Sequence, residues 1–89
     1  MTDLKKEIVK DLYSLFDRVD ILLKSSIEES KHKKITYSKI CFGSINNEET
    51  IIVFKMMRNM DLFIKEYDIR SYTYEMDFHK NIIITLDLN

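Results

Sequence analysis

Apolar residues near the start of the chain recur at helical spacing. Leu4, Ile8, Leu12, Leu15, Val19 and Leu22 follow steps of four and three, and Val9, Phe16 and Leu23 repeat every seven residues beside them. Lys6, Lys10, Asp17 and Lys24 fall on the opposite side. This spacing predicts an amphipathic helix over residues 3–30 with a wide apolar face. Such a helix is about 40 Å long, whereas a compact chain of this length is about 25–30 Å across. Two readings follow. The stripe packs on a sheet, or Val9, Phe16 and Leu23 meet a second copy in a homodimer through helix one.

At the other end of the chain the period changes to two. Tyr72, Tyr74, Met76 and Phe78 alternate with Thr73, Glu75 and Asp77, and Ile82, Ile84, Leu86 and Leu88 alternate with Ile83, Thr85 and Asp87. This predicts an antiparallel hairpin. A two-residue turn at His79-Lys80 throws the two apolar sets onto opposite faces. A three-residue loop, His79 to Asn81, instead pairs Phe78 with Ile82, Met76 with Ile84, Tyr74 with Leu86 and Tyr72 with Leu88, so that all eight share one face. Asn81 then takes the left-handed position of the loop.

The middle admits more than one reading. Residues 35–42 are rich in β-branched and aromatic types and predict a strand. Ile35, Tyr37 and Cys41 are expected to point one way, with Ile35 and Cys41 buried. Asn46-Asn47-Glu48-Glu49 has the form of a helix start, with Asn46 at the cap and acids behind it. Ile52, Val53, Met56, Met57, Met60, Phe63, Ile64 and Tyr67 then share a face, which predicts a second helix over 47–67. The β-branched run from Thr50 to Val53 supports a competing strand over 50–57 and the order α-β-β-α-β-β. A third arrangement is a winged helix, with a short helix over 36–42, a recognition helix over 47–60 and the hairpin as wing. Glu48 and Glu49 would stand at the front of that recognition helix and repel phosphate. The favoured fold is α+β, one domain over residues 1–89, in the order α-β-α-β-β.

Composition adds two constraints. The 89 residues are 45% hydrophobic and 33% charged with a net charge of −1, an ordinary globular mix. No apolar run approaches the roughly 20 residues that cross a membrane, and the N-terminus lacks the apolar core of a signal segment. A cytoplasmic protein is expected. The chain contains no Pro, Ala, Trp or Gln and one Gly, but thirteen Ile and eleven Lys. Its turns must be made from Asn, Asp, Ser and Lys. The same bias matches AT-rich codons and points to a phage, another virus or a low-GC bacterium.

Charge is unevenly spread. Residues 31–43 hold Lys31, Lys33, Lys34 and Lys39 and no acid, a basic island in an otherwise acidic chain. The stretch from Ser30 to Lys34 reads as a solvated connector, and the four lysines as a surface for an acidic partner or for phosphate.

Catalytic chemistry is not indicated. One glycine cannot supply a glycine-rich phosphate loop. His32 and His79 are far apart, and Cys41, the single cysteine, sits among apolar residues. No metal, cofactor or catalytic residue is expected. The five tyrosines and the trio Met56, Met57 and Met60 read as core before they read as base-stacking or adaptable binding surfaces. The functional expectation is a small non-enzymatic protein-binding accessory module of phage or viral origin that inhibits or occludes a host protein such as a defence factor. The competing expectation is a winged-helix DNA-binding transcriptional regulator.

Overall fold

The computed structural model describes residues 3–8 and 13–89, and it divides the first apolar stripe in two. Helix α1 spans Asp3–Ile8 and α2 spans Tyr13–His32. Val9 and Leu12 lie outside the described residues. Lys5 Nζ reaches Asp17 Oδ1 at 2.6 Å and stands 5.8 Å from the Phe16 ring centroid. Residues twelve apart on a straight helix are about 18 Å apart, so α1 and α2 are not parts of one straight helix. This corrects the expectation of one helix over 3–30. No 40 Å rod overhangs the core, because the longest extent of the molecule is 36 Å.

The inward stripe of α2 is Phe16, Val19, Leu23 and Ile27. Leu22, assigned to the apolar face from the spacing, is exposed together with Ile21. Helix α2 ends by hydrogen bonds from Ile35 N to Ser30 O (2.8 Å) and Lys34 N to Lys31 O (3.0 Å). Lys34 is left-handed there, with φ +59°, in the place where a helix end usually has glycine. The expected connector from Ser30 is therefore the last helical turn plus its cap.

The chain continues as β1 (Tyr37–Cys41), α3 (Glu48–Arg58), α4 (Met60–Tyr67), β2 (Ile69–Met76) and β3 (Ile82–Leu88). The order is α-β-α-β-β with each helical part in two pieces. The strands form one antiparallel sheet in the order β1-β3-β2. The helices cover one face of it. Ile40, Ile82, Ile84, Leu86 and Leu88 meet Phe16, Leu23, Ile52, Val53, Met56 and Phe63 in a single core.

Strand β1 has the opposite parity to that expected. Ser38 and Ile40, followed by Phe42, point into the core, while Ile35, Tyr37 and Cys41 are exposed. Pairing with β3 sets this, with Ile40 opposite Ile84 and Ser38 opposite Leu86. A buried serine is acceptable because the Ser26 hydroxyl of α2 meets it at 2.5 Å.

Helix α3 starts one residue later than expected. Asn47, not Asn46, is the cap, and its side chain accepts from Glu49 N at 2.8 Å. The Thr50 hydroxyl donates to Phe42 O at 2.8 Å, fastening the helix to the end of β1. The β-branched run Thr50–Val53 is thus helical, and both the strand over 50–57 and the winged helix fall: residues 37–41 form a strand, where a winged helix needs a helix. At Asn59 (φ −98°, ψ 67°) α3 stops and α4 begins. Met60, placed on the inward face by spacing, is therefore exposed.

The hairpin keeps the expected faces but not the expected register. Met76 pairs with Ile82, Tyr74 with Ile84 and Tyr72 with Leu86, two residues short of the expected partners. A slip of two preserves the side-chain faces. It leaves Asp77 to Asn81 as the loop and expels Phe78 from the sheet. Asp77 accounts for the change. Its carboxylate accepts from His79 N (2.9 Å) and Asn81 N (2.8 Å), and its backbone amide donates to Asn81 O (2.9 Å). Lys80 takes the left-handed conformation expected of Asn81.

Candidate functional site

Helix α3 does not reach over the whole of β2. Near the hairpin end an apolar groove of about 760 Å³ remains between them. Phe54 and Met57 form its helical wall, Tyr74 and Met76 its strand wall, Ile82 its floor, and Ile45 and Arg58 lie at its margins. Tyr72 closes the inner end. Its hydroxyl donates to Met57 O at 2.9 Å and its ring packs edge-on against Phe63 at 5.2 Å. Burial, and after it the neighbouring Tyr74, hold the Tyr72 phenol above its ordinary pKa, so the group stays a neutral donor. Tyr74 is held on one side by Phe54, with centroids 5.2 Å apart in a T-shaped arrangement.

The free surfaces of this groove are large. Tyr74 is 58% exposed, Met76 55%, Ile45 54% and Phe78, on the adjoining loop, 95%. Exposed apolar groups gathered in one place mark interaction sites more often than single ones do. Arg58 makes no ion pair among the described residues, and with Glu75 also lining the groove its margin carries one charge of each sign.

The basic island is dispersed. Lys31 faces Asp68 at 3.8 Å and Lys33 faces Glu29 at 2.9 Å, both at the end of α2. The Lys33 ammonium holds the Glu29 carboxyl below its usual range. Lys34 is the left-handed cap residue, and Lys39 stands in the middle of β1 on the uncovered face of the sheet. The structure brings no phosphate-sized convergence out of these four side chains. Phe16 and Leu23, expected to meet a second copy, are 2% and 0% exposed and belong to the core of one chain. Val9 lies outside the described residues.

A second polar cluster joins α2 to α4. The Tyr67 hydroxyl donates to Asp20 at 2.7 Å, and Lys24 lies 3.2 Å from Asp20 and 3.7 Å from Glu66. Burial, reinforced by Asp20, pushes the Tyr67 phenol well up. For Lys24 burial pushes downward, but Asp20 and Glu66 outweigh it and the ammonium is favoured. Every member has a partner, so the cluster acts as a fastener between helices. Among the described residues no three His, Cys, Asp or Glu side chains converge on a metal-sized site, and no helix is long and apolar enough to cross a membrane.

Sequence reasoning missed this groove. Tyr74, Met76 and Phe78 belong to an alternating set that reads as one buried face. Whether a helix lies above them depends on the path of α3 across the sheet, from Phe54 beside Tyr74 to Met57 beside Tyr72, which the spacing does not give. Asp77 at the head of a polar run was the available sign of a longer loop. No protein-family model, curated protein or solved structure matches the chain.

Proposed function

We propose that this chain is a small non-enzymatic protein-binding module whose partner seats an apolar segment in the groove between α3 and β2. The carrying observation is the gathering of Ile45, Tyr74 and Met76, all more than half exposed, around one concave apolar surface. Tyrosine and methionine suit such a role, since both offer large contact area and methionine adapts its shape. The AT-rich residue bias supports a phage or viral accessory protein, and hence a host protein, such as a defence factor, as the one inhibited or occluded in the host cytoplasm.

The test is capture from host lysate with tagged protein, run beside the double variant Tyr74→Asp, Met76→Asp. Both substitutions are at exposed positions, and circular dichroism checks that the fold survives. A host protein retained by the parent and lost by the variant is the expected result. Identical captures by both, or none by the parent, overturn the proposal.

A further inference from the structure

Strand β2 ends the sheet, and among the described residues no other strand pairs with its outer side. The hydrogen bond from Asp77 N to Asn81 O shows which residues of β2 turn their backbone groups toward β3. Alternation then assigns Thr73 and Glu75 to the inner ladder. Tyr72, Tyr74 and Met76 direct their N–H and C=O groups outward, into the unpaired edge. Such a row is a template for another strand. The same residues carry the aromatic and thioether side chains beside the groove.

We infer that the strand that covers this edge is β2 of a second copy, in an antiparallel pair about a two-fold axis at Thr73. Two antiparallel strands related by a two-fold keep each face on its own side, so residues of equal parity must oppose each other. Centring on Thr73 meets that condition. It sets Tyr72 opposite the second copy's Tyr74 and Ser71 opposite Glu75, and the pairing ends at the irregularity of β2 between Ile69 and Ser71. No like charges face each other, and two aromatic cross-strand pairs form. The outward groups of Tyr72 and Tyr74 then bond to each other's counterparts, giving a six-stranded sheet with both grooves on one face. The pairing stops at two copies, because the remaining free edges are β1 edges with Lys39 in their middle, a charge that opposes further strand addition. The contact covers residues 71–75, about 17 Å of strand, and places association at the weak end of specific interfaces. The inference goes beyond the proposed partner and does not depend on it.

Sedimentation equilibrium from about 10 to 500 μM tests it on the intact chain, with amide hydrogen exchange as a second readout. The expected result is a mass that doubles across this range, with the Tyr72 and Tyr74 amides gaining protection as dimer forms. Two variants locate the contact. Thr73→Lys puts two ammonium groups against each other at the axis, from an exposed position. Tyr74→Pro removes an outward N–H that no bond in the fold uses, which an edge strand tolerates. Both are expected to remain monomeric at 500 μM. A parent chain that is monomeric throughout overturns the inference, and so does a dimer that persists in either folded variant. Should Tyr74→Pro not fold, Thr73→Lys decides alone.

Discussion

β1 and β2 both border β3, and both leave one row of backbone groups unpaired, yet they present different surfaces. β1 is short, spans Tyr37–Cys41, and carries Lys39 at its centre. Its inward residues, Ser38 and Ile40, lie under α2, where Ser26 completes the contact. β2 runs from Ile69 to Met76, and its inward-facing Tyr74 and Met76 remain more than half exposed. The less apolar strand has the better-buried inner face. Exposure follows from which helix lies above each strand, and hydrophobic content decides only what the exposed surface can then do. On β1 it offers a charge that discourages pairing. On β2 it offers a groove and an edge that invite it.

The sharpest way to break this contrast is to truncate both inner faces. Ile40→Ala on β1 is expected to cost about 2–5 kcal/mol, as for other buried large-to-small changes. Met76→Ala on β2 should cost less than about 1 kcal/mol, in the range of exposed positions. Urea unfolding of the two variants measures both, and equal losses would erase the difference between the edges. The serine pair gives a smaller effect. Ser38→Ala should cost about 1 kcal/mol by leaving the Ser26 hydroxyl without its partner. The double variant Ser26→Ala, Ser38→Ala should cost less than the two single losses added together.

Surface charge should matter less again. Replacing Lys31, Lys33 and Lys34 together with Ser should leave stability within roughly 1 kcal/mol, because their ion pairs are solvated. A larger loss would show that the end of α2 relies on them. The smallest effect belongs to the loop that ends β2. The Asn81 amide, with help from the Asn81 and His79 groups, holds the Asp77 carboxyl below its ordinary value. Its folded pKa is therefore lower than its unfolded one. The contribution to loop order is complete above the unfolded value and is lost as pH falls through the folded one. An NMR titration should give Asp77 a midpoint below that of a free aspartate, with the His79 and Asn81 amides shifting at the same pH. An ordinary midpoint would remove Asp77 as the reason for the loop length.

Periodicity by itself favoured the order α-β-α-β-β over its competitors, and determined the antiparallel hairpin and the two faces of its strands. These are local properties: a period of two or 3.6 writes the face of each residue into the chain whatever lies nearby. It could not determine that the first apolar stripe is two helices, since α1 and α2 keep compatible spacing and it is the Lys5–Asp17 contact that rules out one straight helix. It also misjudged β1. Counting apolar residues favours the face with Ile35, Tyr37 and Cys41, but pairing with β3 places Ser38 inward, and one serine on a neighbouring helix makes that acceptable. The hairpin register depended on the carboxylate of Asp77, whose hydrogen bonds select a longer loop than side-chain matching does. The groove was least legible of all. Tyr74 and Met76 alternate as core residues do, and α3, which passes from Phe54 beside Tyr74 to Met57 beside Tyr72, leaves them more than half exposed. Burial is a property of what lies opposite a residue, and that is decided when the elements pack.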